Sequence, residues 1–157
     1  MKIKIGEAKR KDINSIVELN KGLANFHRKI DKYYKSGEDW REAFMKHLIK
    51  NFGKKNFKIL VAKDKNKVIG YFTGAIQKPK PYAVPRKIGR ISDAFVLAKY
   101  RGKGVGEQLF GEFIKWFKAN KIKNIELSVD SRNKIGLSAW KKYGFLEYQK
   151  KMRLDLQ

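Results

Sequence analysis

Between an apolar stretch and an amphipathic one lies the run Arg101-Gly102-Lys103-Gly104-Val105-Gly106. Upstream, Ile91 to Leu97 reads as a strand. Downstream, Leu109, Phe110, Phe113, Ile114, Trp116 and Phe117 recur at helical spacing. The glycines therefore fall where a strand turns into a helix. The first turn of a helix carries N–H groups without intrahelical partners, and the helix dipole adds partial positive charge there. Glycine lets an anion approach that backbone, and Arg101 and Lys103 add whole charges. The chemistry implied is a cradle for a pyrophosphate. No Gly-Lys-Ser/Thr follows the last glycine, so the run is not a Walker loop. Its spacing and mid-chain position also exclude a dinucleotide-binding Rossmann fingerprint. The plainer alternative is a tight strand–helix turn whose glycines serve packing alone.

Few other residues carry candidate chemistry. Asp93 is the only carboxylate on the strand that leads to the glycine run. Arg86, Lys87 and Arg90 stand near it in sequence. They predict a low pKa, which suits binding a cation better than taking a proton. His27, Asp31 and Tyr34 are spaced by four and then three, which would put them on one helical face. Asn133 precedes a short amphipathic segment and suits a helix N-cap. His47 has no companions at metal-ligand spacing, and the chain contains no cysteine. No metal, thiolate nucleophile or disulfide framework is expected.

The elements that must position these residues form an α/β order. Lys2 to Ala8 alternates as a first strand. Asp12 suits an N-cap for a helix marked by Ile13, Ile16, Val17, Leu19 and Leu23. Residues 25–37 read as an irregular or partly helical crossover. Glu38 to Asn51 reads as a second helix with Trp40, Phe44, Leu48 and Ile49 on one face, stopped by Gly53. Strands follow at Phe57 to Lys63 and Val68 to Gln77, joined by a turn at Lys65-Asn66-Lys67. Pro79, Pro81 and Pro85 mark a loop that returns into a strand from Ile88 to Ala98. Then come a helix from Gly104 to Asn120, a strand from Ile125 to Val129, a helix from Lys134 to Tyr143 and a last strand from Leu146 to Leu156. The crossover through the long helix predicts that the strands on either side of it are parallel.

Arg101, Gly104 and Gly106 fit Gln/Arg-x-x-Gly-x-Gly/Ala after a strand. Farther on, Asn133 is followed by a short helix and then Gly144-Phe145. The two blocks together resemble the GNAT superfamily of acetyl-CoA-dependent N-acetyltransferases, and the element order extends the resemblance over nearly the whole chain. It implies a mixed, mostly antiparallel sheet flanked by helices, with a parallel pair that splays into a wedge for the pantetheine arm. It further implies backbone contacts to the cosubstrate from Phe95, Val96 and Leu97. Pyrophosphate contacts are implied from Arg101, Gly102, Lys103, Gly104, Val105 and Gly106, and a pantetheine contact from Asn133. The family's usual general acid, a tyrosine seven residues after the asparagine, is replaced by Trp140. Indole N–H cannot give up its proton near neutrality. Tyr143, one turn on, is then the candidate acid, and Asp93 the candidate acceptor-side carboxylate. A non-catalytic CoA-binding module is the rival that Trp140 motivates.

The chain of 157 residues carries 38 Lys and Arg against 15 Asp and Glu, a formal charge of +23. That length suits one domain spanning 1–157. The charge predicts attraction of polyanions, CoA among them, and repulsion of polycations unless local acids offset the field. Nucleic acid is admitted as a partner by charge, although no motif indicates it. The expected partners are an amine acceptor and, as an option, a second copy of the chain. No apolar run approaches a membrane span, and the first residues alternate as a strand rather than as a signal peptide. A cytoplasmic enzyme is the simplest expectation.

Overall fold

The computed structural model describes residues 2–35 and 37–157. Met1, within the opening alternation, and Ser36, within the predicted crossover, lie outside the described residues. A five-stranded sheet has the order β1-β2-β3-β4-β5, with β1 Ile3–Glu7, β2 Phe57–Asp64, β3 Lys67–Gln77, β4 Ile88–Val96 and β5 Ile125–Glu126. All neighbours are antiparallel except β4 and β5, which are parallel as the crossover requires. Four helices flank it: α1 Ile13–Ile30, α2 Gly37–Asn51, α3 Val105–Ala119 and α4 Lys134–Lys142.

The sheet is buried on both faces. One face of β2 and β3 packs through Leu60, Ala62, Ile69 and Phe72 against Val105, Leu109, Phe113 and Phe117 of α3, with Trp140 of α4 at the margin. The other packs through Ile59, Val61 and Tyr71 against Ile13, Ile16 and Val17 of α1 and Phe44 and Leu48 of α2. That is why β2 and β3 read as nearly continuous apolar runs. Leu109, Phe113 and Phe117 are fully buried, and each such side chain stabilises the fold by about 1.5–3 kcal/mol.

Two glycines set how closely α3 lies on the sheet. A Cβ on Gly89 would stand 2.6 Å from the Phe117 ring, and one on Gly74 would stand 2.7 Å from both Phe113 and the Arg90 carbonyl. The register between β3 and β4 slips between Thr73 and Gly74, whose partners are Asp93 and Ile91. Ser92 is thus the extra residue of a β-bulge, which bends and twists its strand. Beyond this point β4 no longer pairs with β5. Their ladder is only Gly89 with Ile125 and Arg90 with Glu126.

Three expectations are corrected. The first helix does not give way near Asn25 but continues to Ile30, because His27 and the basic residues after it suit a helix C-terminus. Asp12 precedes α1 without capping it through its side chain. Its carboxylate accepts from the Lys9 N–H (2.8 Å) and pairs with Lys63 (2.7 Å). The alternating stretch from Leu146 to Leu156 forms no strand, and its apolar side chains lie exposed.

Candidate functional site

The glycine run turns as its composition requires. Gly102 and Gly104 have φ of +70° and +77°, left-handed values that favour glycine. Gly104 is the N-cap of α3 and supplies no side chain, and the first intrahelical bond runs from Gln108 N–H to its carbonyl (3.0 Å). The N–H groups of the first turn therefore point outward with no cap. Arg101, Gly102 and Lys103 are exposed and Gly104 and Gly106 half-buried, whereas the Val105 side chain belongs to the core. Val105 can meet a ligand only through its backbone. Arg101 is partly committed: its Nε donates to the Val96 carbonyl (2.8 Å), and its guanidinium lies over the Phe95 ring at 5.4 Å. It ties the strand end to the loop and keeps its remaining donors free.

A wedge opens from this cradle between β4 and the segment after β5. Strand backbone groups alternate in direction. The Leu97 N–H donates to the Ile69 carbonyl (2.9 Å), so it is spent on β3. Phe95 shares its parity, and its side chain packs on Gly22 of α1, where a Cβ would come within 3.2 Å of the ring. Of the three strand residues expected to present backbone to a ligand, only Val96 faces the opening. Ala94, which sequence reasoning missed, faces it too. The Ser92 bulge, which sets this parity, has no sequence signal.

Asn133 caps α4, accepting from the Gly136 N–H at 2.9 Å. A Cβ on Gly136 would stand 2.6 Å from its amide nitrogen, so glycine is what allows this closure. Trp140 is packed against Phe72, Tyr143 and Phe145 at ring separations of 5.9, 5.9 and 5.5 Å. The place of the missing tyrosine is filled by core. Tyr143 stacks on Phe110 (4.7 Å), and a Cβ built on Gly106 would lie 2.9 Å from its hydroxyl. The hydroxyl thus sits over the first turn of α3, with its pKa raised by burial and by Glu107. Glu107 itself is paired with Lys142 of α4, which offsets an acid beside the anion cradle.

On the opposite side of β4, Asp93 is half-buried and faces α1 and α2. Thr73 Oγ1 donates to its carboxylate (3.1 Å) and accepts from its N–H (3.2 Å). Burial pushes its pKa up, against the Thr73 hydrogen bond and the fields of His47 and His27. This corrects the expectation of a low pKa: the neighbours in sequence face elsewhere, Arg90 donating to Ser128 Oγ at 3.0 Å. His27 is held below its ordinary pKa by burial, although Asp130 and Asp93 pull it up. Its ring lies 5.3 Å from that of Tyr34, whose hydroxyl meets Asp130 (3.4 Å).

Asp31 does not join His27 and Tyr34, because α1 ends at Ile30 and Asp31 is extended. Its carboxylate accepts from the Tyr33 N–H and pairs with Arg132 (3.0 Å) and Arg153 (2.8 Å), which together hold its pKa down to about 2. Arg132 also grips Asp130 through two donors, at 2.9 and 2.8 Å, keeping that carboxyl well below the usual range. Arg132 escaped sequence reasoning, since Asp31, which it also pairs with, lies 101 residues away in the chain.

An uncapped helix N-terminus behind a glycine turn and a parallel pair that parts after two residues thus flank the end of β4, with the Asp93 cluster on the strand's other side. Residues 23–145 match the acetyltransferase (GNAT) family. The uncharacterized N-acetyltransferase MJ1207 of Methanocaldococcus jannaschii is 27% identical over 87% of this chain, which spans 57% of that protein's length. A mutant of the BH1408 protein from Bacillus halodurans superposes with a TM-score of 0.85 at 25% identity, over 98% of this chain and 99% of that one. A predicted acetyltransferase with acetyl-CoA from Clostridium acetobutylicum shares the fold at a TM-score of 0.78 and 20% identity, covering 98% and 96%. With the glycine cradle and the wedge in the places where the family match runs, the chain belongs to the GNAT family of acetyltransferases.

Proposed function

We propose that this chain is a cytoplasmic N-acetyltransferase that moves an acetyl group from acetyl-CoA to a primary amine of a small molecule or protein. The observation that carries the reading is the wedge, where β4 and β5 pair for two residues and then part beside an uncapped helix N-terminus. The residues present fit the cosubstrate. The N–H groups of Val105, Gly106 and Glu107 and the charges of Arg101 and Lys103 suit its pyrophosphate, with Gly102 and Gly104 giving the turn. The Val96 N–H, the Ala94 backbone and the free amide hydrogens of Asn133 suit its pantetheine arm, the Val96 carbonyl being held by Arg101. Acetyl-CoA supplies an activated thioester carbonyl and a thiolate leaving group.

The protein's own tasks are to place the amine, take a proton from it and supply one to the leaving sulfur. Asp93, with its raised pKa, holds the ammonium and accepts its proton, with His47 and His27 near enough for their fields to bear on it. We assign the second proton to Tyr143, whose raised pKa keeps it protonated; because its hydroxyl stands over Gly106, at the pyrophosphate end, the proton reaches the sulfur through water. Trp140 favours a second reading, a CoA-binding module without catalysis, because it replaces the residue that ordinarily protonates sulfur.

Calorimetric titration with acetyl-CoA and a thiol-release assay over a panel of primary amines decide between the two. Binding with turnover supports the proposal, and binding without turnover on any amine supports the module. Lys103 is exposed, so Lys103→Glu leaves packing intact. It should weaken CoA binding by at least about tenfold, the loss of roughly one charge-assisted contact with a negative charge now set beside the phosphates. Unchanged affinity would remove the cradle assignment.

A further inference from the structure

At one end of the sheet three connections that are far apart in sequence come together. The Ile76 N–H donates to the Asn56 carbonyl (2.8 Å) and the Gly89 N–H to that of Asn124 (2.9 Å). The turn before β2, the loop from β3 to β4 and the link from α3 to β5 therefore lie side by side. The turn carries Lys54 and Lys55. Residues 78–87 carry three lysines and an arginine, and residues 118–124 three lysines more. All nine bases are exposed, and none of the three segments contains an acid. On α2 and α3 lysines pair with acids, as Lys46 does with Glu42 and Lys115 with Glu112. The nine enter no ion pair among the described residues. Glu126, the first acid beyond them on β5, is taken up by the Tyr148 hydroxyl. The cosubstrate cradle does not account for this array. It stands at the other end of β4, nine residues or about 30 Å away. Surface charges are screened beyond about 10 Å at 0.1 M salt.

An aromatic ring stands among these charges. The Ala83 N–H donates to the Lys80 carbonyl (2.9 Å), closing a β-turn with Pro81 second and Tyr82 third. Proline presets φ at that place, so Tyr82 is displayed at a stiff tip, 82% exposed. Lys80 Nζ lies 5.9 Å from the centre of its ring. The other two exposed tyrosines are engaged, Tyr33 beneath Arg153 and Tyr148 with Glu126. Unpaired lysines on flexible stems suit the phosphates of a nucleic acid, and an outward ring beside them suits the face of an unstacked base. A duplex keeps its bases stacked inside and offers the ring no face, and an acidic peptide such as polyglutamate offers it no π-system. We propose that this end of the sheet is a docking surface for a single-stranded nucleic acid. The phosphodiester backbone follows the lysines, and a base stacks on Tyr82. The inference is independent of the catalytic reading.

Fluorescence anisotropy of the full chain with a labelled oligouridylate of about ten nucleotides, within the span of one such surface, tests the proposal. The parent should bind, and log Kd should rise with log salt at about 0.7 per phosphate neutralised. Lys87→Glu with Lys123→Glu, at the starts of neighbouring strands, should weaken binding by at least about tenfold, the loss of two phosphate contacts. The same change of charge at the far end of the sheet, Lys65→Glu with Lys67→Glu, should weaken it by less than about threefold, through the summed field alone. Tyr82→Ala should cost about tenfold with the salt slope unchanged, the loss of one stacked base. All five positions are exposed, so each variant should keep the parent's circular dichroism spectrum. No binding at about 0.1 M salt, equal losses from the two lysine pairs, or full affinity in Tyr82→Ala would overturn the proposal. So would displacement of the oligomer by a duplex of the same length, or by polyglutamate, as readily as by unlabelled single strand.

Discussion

Asp93 shows how a side chain's environment can reverse what its neighbours in sequence imply. Burial raises its pKa, and its nearest hydrogen bond comes from Thr73, itself fully buried. A carboxyl with a folded pKa above its unfolded value binds more protons when folded. Stability then falls as pH rises from the unfolded pKa through the raised folded one and stays reduced at neutral pH. Asp93→Asn removes that cost and keeps an acceptor for the Thr73 hydroxyl. The variant should melt at a higher temperature than the parent at pH 7, an advantage that vanishes below pH 4. Its turnover should fall by about 10²-fold if Asp93 takes the proton. Thermal melts across pH alongside rate measurements check both halves. A Tyr143→Phe variant separates the two proton transfers. Its stacking on Phe110 survives, so acetyl-CoA binding should hold while turnover drops by about 10²-fold. Full turnover would make Tyr143 a packing residue.

Elements decide where these residues stand, and here the sequence was legible in part. Period and turn chemistry placed α2, α3, α4 and the first four strands within a few residues, and the glycine run marked the left-handed turn into α3. Three things were not legible. The Ser92 bulge changes which backbone groups face the wedge, and an inserted residue leaves no mark in an apolar run. The end of α1 depended on basic residues at its C-terminus rather than on apolar period, and it separated Asp31 from His27. The segment from Leu146 carried a strand's alternation, but a strand needs a neighbour to pair with. The close seating of α3 is the element-scale feature most open to test. Gly89→Ala places a Cβ 2.6 Å from the Phe117 ring, and the ring or the helix that carries it must shift to admit it. The expected cost is about 1–3 kcal/mol by urea denaturation. Because α3 carries the cradle at its N-terminus, CoA affinity should fall as well, though position 89 lies outside the cradle. A variant as stable as the parent would show that the helix seat is pliable.

At the scale of the whole molecule the dominant fact is a formal charge of +23. A field of that sign helps capture an anionic cosubstrate and opposes a cationic acceptor. Local acids can reverse the second effect, but most of those near the groove are already paired. Asp31 is spent on Arg132 and Arg153, Asp130 is spent on Arg132, and Glu38 pairs with Arg41 at 3.7 Å. What remains toward the groove is Asp93, half-buried and with a raised pKa. One partly suppressed negative charge can hold one ammonium but not three. The acceptor should therefore be a single primary amine. In a comparison of kcat/KM, a monoamine or the amino terminus of a neutral peptide should outperform spermidine at low salt. Raising the salt should narrow the gap, because screening beyond about 10 Å at 0.1 M ionic strength removes the long-range repulsion of the polycation. Spermidine as the better substrate, with a rate that falls as salt rises, would mean that the groove attracts cations and that Asp93 does not act alone there.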